Sequence, residues 1–241
     1  MIFQLDGTPP GIPFPDPSLA ETDPDGLLAV GGDLSVERLV NAYRTGIFPW
    51  YSEGQPILWW SPDPRTVLYP EHIHIARSLK RQMRAAPLDF RLDTAFAQVT
   101  SACAAPRAHQ DGTWLLPEMR AAYQALHKAG IAHSAELWQG DRLVGGMYGL
   151  AIGGVFFGES MFSRITSASR MVMVVLSQLL LKHRYRMLDC QVYNPHLERM
   201  GAVEIERGHF LATLRDTVAL PEPDLWAHAK DIRIDVREVI A

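Results

Sequence analysis

Short apolar and polar runs separated by glycine turns fill the second half of the chain. Residues 132–138 alternate with the period of a half-buried strand, and 142–152 and 155–162 predict two more strands. Gly140-Asp141 and Gly153-Gly154 mark the turns between them. The elements predicted next are a long apolar helix at 171–181, a strand at 185–192, a short helix after Asn194-Pro195, a strand at 203–206 and a helix from near His209. An antiparallel meander joined to crossover units indicates an α+β fold with a mixed sheet.

The first half is punctuated by prolines and aromatic residues. Ser35 is the predicted N-cap of a helix that Gly46 ends, and Pro70 is expected to open a second helix. Two more helices are predicted near 94–104 and over 117–128.

The composition is typical of a soluble globular protein, with 241 residues of which 47% are hydrophobic and 21% charged. A net charge of −4 argues against broad, nonspecific coating of nucleic acid. Two cysteines are too few for a disulfide framework and fit a reducing compartment. We detect neither a signal peptide nor an apolar stretch long enough for a membrane span, so we expect a cytoplasmic protein without a membrane partner.

Several familiar sites are excluded by their missing residues. The chain has no dinucleotide-binding glycine motif and no P-loop, and Phe162 replaces the second glycine that a serine-hydrolase elbow after Gly158 requires. His72 and His74 would diverge on a helix and make a poor metal pair, so no metal site is predicted. The neighbouring Asp189 disfavours a thiolate at Cys190, which favours a buried structural cysteine.

Asp189 and Gln191 are the first candidates for chemistry. They lie two residues apart on a predicted strand, so both side chains face one side and Cys190 faces the other. Polar groups in an apolar strand need partners or line a cleft. A structural hydrogen-bonded pair and a functional pair are equally supported by these residues alone.

Glu159 is the second candidate, because it lies among phenylalanine and methionine residues and needs a cation there. On a regular strand it shares a face with Met161. The cation is either a bound Arg or Lys, or an internal partner such as Arg164 or Arg170.

Tryptophans and a basic stripe supply two weaker signals. Four tryptophans lie in loop-like segments, where a tryptophan either stacks on a base or anchors the loop: Trp50, Trp59, Trp60 and Trp114. Four cations fall on one helical stripe, where they either contact phosphates or form a solvated face: Arg77, Lys80, Arg81 and Arg84.

Seven motifs in order resemble the bacterial leucyl/phenylalanyl-tRNA–protein transferases. They are Gly26-Leu27-Leu28-Ala29-Val30-Gly31-Gly32-Asp33-Leu34-Ser35, Gly46-Ile47-Phe48-Pro49-Trp50, Trp59-Trp60-Ser61-Pro62-Asp63-Pro64-Arg65, Gly112-Thr113-Trp114, Val144-Gly145-Gly146-Met147-Tyr148-Gly149, Phe157-Gly158-Glu159-Ser160-Met161-Phe162-Ser163 and Asp189-Cys190-Gln191. The resemblance covers most of the chain from about residue 12 to 210.

The resemblance implies an enzyme that moves Leu or Phe, and Met less well, from tRNA onto proteins with N-terminal Arg or Lys, marking them for degradation. It implies a small N-terminal α/β domain, placed at 1–70, and a catalytic domain similar to GNAT acetyltransferases, placed at 71–241. No cofactor is expected, and we expect a monomer.

The resemblance also assigns roles to single residues. It places Trp50 and Trp114 at the aminoacyl-adenosine end, and Glu159 at the acceptor's basic side chain. Asp189 and Gln191 would handle the attacking amine. The residues expected to line the pocket for the Leu or Phe side chain are Met147, Phe156 and Met161.

Two other classes remain open. An acyl-CoA-dependent N-acyltransferase would need a glycine-rich pyrophosphate cradle, and residues 163–170 contain no glycine. A non-catalytic RNA-binding module would use the tryptophans and the basic stripe but would leave Glu159, Asp189 and Gln191 unexplained.

Overall fold

The computed structural model describes residues 1–85, 87–105 and 115–240. Its strands are β1 Phe3–Gln4, β2 Leu27–Val30, β3 Phe48–Pro49, β4 Leu58–Trp60, β5 Arg65–Leu68, β6 Asp89–Leu92, β7 Ala132–Gln139, β8 Arg142–Ile152, β9 Val155–Ser163, β10 Met187–Gln191, β11 Val203–Ile205 and β12 Arg233–Asp235. Its helices are α1 Val36–Arg44, α2 Arg77–Ala85, α3 Phe96–Ala104, α4 Pro117–Lys128, α5 Ala168–Lys182, α6 Pro195–Glu198 and α7 Arg207–Val218.

The strands form two sheets, a small one ordered β1-β2-β4-β3 and a large one ordered β11-β5-β10-β9-β8-β7-β6-β12. In the large sheet β9 and β10 run parallel, and the other neighbouring strands run antiparallel. The predicted meander is confirmed as β7, β8 and β9, and helices then alternate with strands as predicted. The fold is therefore α+β with a mixed sheet.

Apolar side chains cover both faces of the large sheet. One buried cluster contains residues of α1, α3, α4 and α7, and the other contains residues of α2 and α5. The small sheet contributes to the first cluster through Trp59, which is fully buried and donates from Nε1 to the carbonyl of Gly31 at 2.9 Å. The large sheet thus lies between two helical layers.

Among the described residues, no helix has the length and apolarity needed to cross a bilayer.

One of two predictions about helix starts is confirmed and the other is wrong. Ser35 does cap α1, since its hydroxyl accepts from the Arg38 N–H, but Pro70 opens only a short 3-10 turn. The N–H of His74 donates to Met200 instead of continuing a helix, so α2 begins at Arg77.

Sheet membership also bears on the domain boundary. The predicted N-terminal part ends at residue 70, yet β5 lies inside the large sheet between β10 and β11. The residues of β5 therefore belong structurally with the C-terminal part, and the small sheet ends at Trp60.

Candidate active site

A cleft of about 800 Å³ opens where β9 and β10 separate. The two strands pair only from Met187–Val155 to Asp189–Phe157, while β9 continues to Ser163. Just beyond this point the pairing of β10 with β5 is irregular, between Asp189 and Gln191. This volume is typical of small-molecule sites.

A bulge in β9 turns Glu159 and Met161 to opposite faces of the sheet. Tyr148 pairs with Ser160 and Gly149 pairs with Gly158, which leaves Glu159 without a partner on β8. Glu159 contacts tyrosines of the first cluster, whereas Met161 packs against the second. The expectation that they share one face is therefore wrong, although both line the cleft.

Two tyrosines hold the Glu159 carboxylate. Tyr43 of α1 donates to Oε1 at 2.7 Å, and Tyr123 of α4 donates to Oε2 at 2.6 Å. Burial raises the pKa of Glu159, and the two hydrogen bonds from the tyrosines lower it; burial has the larger effect, and the pKa is about 7. Within the described residues, the ion pairs do not include Glu159, so the internal alternatives Arg164 and Arg170 are not its partners.

Gln191 lies beside Glu159 in a strained backbone conformation. Its φ is +59°, which is uncommon for a residue with a side chain. Its backbone N–H donates to Asp189 Oδ1 at 3.0 Å, and its Nε2 donates to Glu159 Oε1 at 3.3 Å. The irregular end of β10 thus fixes the amide against the carboxylate inside the cleft.

Asp189 is bound to Arg65 behind the cleft lining. It is fully buried, does not line the cleft and receives two bonds from Arg65, from Nε at 2.8 Å and Nη2 at 2.6 Å. That Asp189 handles the attacking amine, directly or through Gln191, stays a prediction, and a direct contact would have to compete with the guanidinium that both of its oxygens already bind.

Arg65 is the important residue that sequence reasoning did not assign. Its guanidinium is fully buried between the rings of Phe48 and Phe210, at 4.8 and 4.6 Å from their centroids, and Nη1 donates to Gly46. The position of Arg65 at the end of a Trp- and Pro-rich motif was the only local indication that it matters. Its partner Asp189 is 124 residues away in the sequence, so the pairing leaves no local pattern.

Two of the three residues predicted for a donor pocket lie in the apolar wall of the cleft. Met147 and Met161 line the cleft, and Trp50 lines it with 44% of its surface exposed. Phe156 lies behind the wall, fully buried and 5.5 Å from the ring of Trp226, so it is not a lining residue. Trp114 lies outside the described residues.

The basic stripe lies on α2, away from the cleft lining, and its four cations are exposed. They are Arg77, Lys80, Arg81 and Arg84. Cys190 lines the cleft but is largely buried, and this burial raises the pKa of its thiol. That agrees with an unreactive cysteine.

One group in the described residues has the composition of a metal site, namely Asp93, His127 and His133. The Nδ1 atoms of both histidines are already within hydrogen-bond distance of oxygens. His133 contacts Asp93 at 2.7 Å, and His127 contacts the Ala132 carbonyl at 2.8 Å. The group lies outside the cleft lining, and the geometry is that of a buried hydrogen-bond network.

Comparison with known families agrees with the two-part fold. The family description for leucyl/phenylalanyl-tRNA protein transferase matches residues 67–215, and that for the N-terminal domain of the same transferase matches residues 32–63. The chain belongs to the leucyl/phenylalanyl-tRNA–protein transferase family. It is therefore an aminoacyltransferase. The gap between its two matched segments, residues 64–66, includes the start of β5.

Relatives in this transferase family match nearly the whole chain. The Alkalilimnicola ehrlichii leucyl/phenylalanyl-tRNA–protein transferase is 54% identical over 91% of this chain and 86% of its own length. The Xanthomonas euvesicatoria leucyl/phenylalanyl-tRNA–protein transferase is 55% identical over 90% of this chain and 87% of its own length. Among solved structures, L-PGS from Bacillus licheniformis is 12% identical with a TM-score of 0.38, over 70% of this chain and 54% of its own.

Proposed function

We propose that the cleft transfers Leu or Phe, and Met less well, from aminoacyl-tRNA to proteins with N-terminal Arg or Lys. Family membership supports the enzyme class and the donor. The choice of an acceptor with a cationic N-terminal residue is supported by the Glu159 carboxylate, which lines the cleft without an ion-pair partner among the described residues. The new N-terminal residue marks the acceptor for degradation.

The donor occupies the apolar side of the cleft. Met147 and Met161 contact the Leu or Phe side chain, because flexible thioether side chains adapt to apolar groups of different shape. The half-exposed ring of Trp50 stacks on the terminal adenosine. Exposed cations of α2 contact phosphates of the tRNA body.

The acceptor's cationic side chain pairs with Glu159. Pairing favours the ionised carboxylate, and Tyr43 and Tyr123 keep both of its oxygens fixed in place. An apolar or acidic N-terminal residue would leave the buried carboxylate without its cation, so this contact selects the acceptor.

The α-amine attacks the ester carbonyl beside Gln191. Nε2 of Gln191 donates to Glu159, which leaves the side-chain oxygen of Gln191 as a hydrogen-bond acceptor. This oxygen accepts an N–H of the attacking amine. A C–N bond forms, the ester C–O bond breaks, and the amine proton passes to the departing 3′-oxygen. The α-amino pKa of about 8 leaves a neutral fraction, so positioning supplies much of the acceleration.

Asp189 and Arg65 are positioning residues in this mechanism. Their buried pair anchors the Gln191 backbone, and through it the amide that contacts the nucleophile. We further propose that the enzyme acts as a monomer in the cytoplasm, where charged tRNA is present.

A CoA-free transfer assay tests the proposal against both rival classes. Phe-tRNA and peptides starting with Arg, Lys or Ala are incubated with the protein, and mass spectrometry detects an added N-terminal phenylalanine. We expect transfer to the Arg and Lys peptides only. Binding of tRNA without product would support an RNA-binding module. Acetylation of the peptide in a parallel reaction that contains acetyl-CoA instead of Phe-tRNA would support an N-acyltransferase.

A further inference from the structure

A second charged region borders the cleft on its α5 side. Arg164 follows the end of β9, Arg170 lies in the first turn of α5, and His196 lies in α6. Arg164 and His196 line the cleft, as does Ser169, the neighbour of Arg170. We call Arg164, Arg170 and His196 the basic rim.

Other side chains do not neutralise the positive charge of the basic rim. The ion pairs of the described residues include neither arginine. Arg164 Nη1 donates to the Leu143 carbonyl at 3.0 Å, and Arg170 Nη2 donates to Ser167 Oγ. A guanidinium carries several N–H groups, so each arginine keeps donors for a ligand.

His196 adds an unsatisfied polar atom to the same wall. Its Nε2 is buried without a hydrogen-bond partner in the described part of the chain. Burial lowers the pKa of His196, and the nearby charges of Arg170 and Arg199 lower it further. The arginines therefore supply the positive charge of this wall and His196 supplies a neutral polar group, although the whole chain carries a net charge of −4.

We infer that the basic rim binds the phosphate on the 5′ side of the donor's terminal adenosine. The inference rests on the proposed function and extends it to a donor-orienting contact. Guanidinium groups match phosphate oxygens in geometry and charge. With the phosphate at the basic rim and the cationic acceptor at Glu159, opposite charges are bound on opposite faces of the sheet, and the ester lies between them.

Two minimal donors test the inference. Phenylalanine is esterified to the 3′-oxygen of adenosine, or to that of adenosine 5′-phosphate, and kcat/KM is measured with an Arg-initiated peptide. We expect Arg164→Gln and Arg170→Gln each to lower kcat/KM about tenfold for the phosphorylated donor, as removal of a charge-assisted hydrogen bond predicts. For the other donor the change should stay below twofold. Arg170→Lys should recover most of the loss, and Arg215→Gln, an exposed arginine of α7, is the matched control.

Calorimetric binding of adenosine and adenosine 5′-phosphate provides a readout independent of transfer. We expect wild-type protein to prefer the phosphorylated nucleoside and both Gln variants to lose that preference. Equal losses on both donors, or equal binding of both nucleosides by wild type, would overturn the inference. Inorganic phosphate that binds as tightly as the nucleotide would assign the site to a free anion and also overturn it. Failure of wild type to transfer from intact Phe-tRNA would instead refute the proposed function.

Discussion

Breaking the buried Arg65–Asp189 pair should cost more than removing both partners. Both side chains are fully buried and joined by bonds of 2.8 and 2.6 Å. Removing one partner leaves an uncompensated charge, a loss of about 3–5 kcal/mol. At about 2–4 °C per kcal/mol for a chain of this size, Tm should fall by roughly 6–20 °C in Arg65→Met or Asp189→Leu.

The double variant Arg65→Met/Asp189→Leu leaves no unpaired charge at this position. It still deprives the Gly46 carbonyl and the Gln191 N–H of their partners, at about 1–3 kcal/mol each. Each single variant also loses one of these two bonds, in addition to leaving a buried charge unpaired, so we expect the Tm of the double variant to be no lower than that of either single variant. It should nevertheless transfer slowly, because the backbone of Gln191 is no longer anchored.

Differential scanning calorimetry of the four proteins, with single-turnover transfer on each, measures both effects. A double variant whose Tm loss equals the sum of the two single losses would refute a coupled buried pair. Full transfer activity in a folded double variant would show that the pair does not position Gln191.

Three further predictions concern the bulge, the carboxylate and the donor wall. Gly149→Ala should lower stability by about 1–3 kcal/mol, because its Cβ would lie 2.2 Å from the Phe157 carbonyl oxygen; Gly208→Ala, with open space around it, is the thermal-melt control. Glu159→Gln should melt higher than wild type at pH 8 and similarly at pH 5. The pKa of Glu159 in the folded protein, about 7, exceeds the ordinary value of 4.5, so ionisation of this carboxyl lowers the free energy of unfolding as pH rises from 4.5 to about 7. A Tm difference that does not depend on pH would contradict this. Met147→Ala should change the Phe-to-Leu ratio of kcat/KM by a factor corresponding to about 1–3 kcal/mol, and an equal loss on both donors would oppose its pocket role.

Elements governed by local signals could be predicted from the sequence. The bounds of β8 are those predicted, because a mostly apolar run between two glycine turns is a property of neighbouring residues. β5 was missed because four residues beginning with a charge form a strand only by pairing with β10 and β11, which lie far along the chain. Strand pairing at long sequence separation leaves little local pattern.

The site was predicted in its residue types but not in its geometry. The polar character of Glu159 and Gln191 in apolar strands indicated that each needs a partner or lines a cleft, but not that the two are adjacent. A single unpaired residue in β9 reverses every side chain after it, and alternation alone does not reveal such a bulge. The ion pair of Asp189 was not predicted for a related reason, since its partner Arg65 lies on a strand that the sequence did not predict.

Acceptor choice by the Glu159 carboxylate is the central claim, and one pair of peptides tests it most directly. Citrulline has nearly the shape of arginine but no charge, so kcat/KM is compared for Arg- and citrulline-initiated peptides with wild type and Glu159→Gln. A hydrogen bond to a charged group contributes about 1.5–3 kcal/mol, which predicts a wild-type preference for arginine of at least about tenfold. In Glu159→Gln the ratio should approach one. An undiminished preference in the variant, or equal use of both peptides by wild type, would contradict the account.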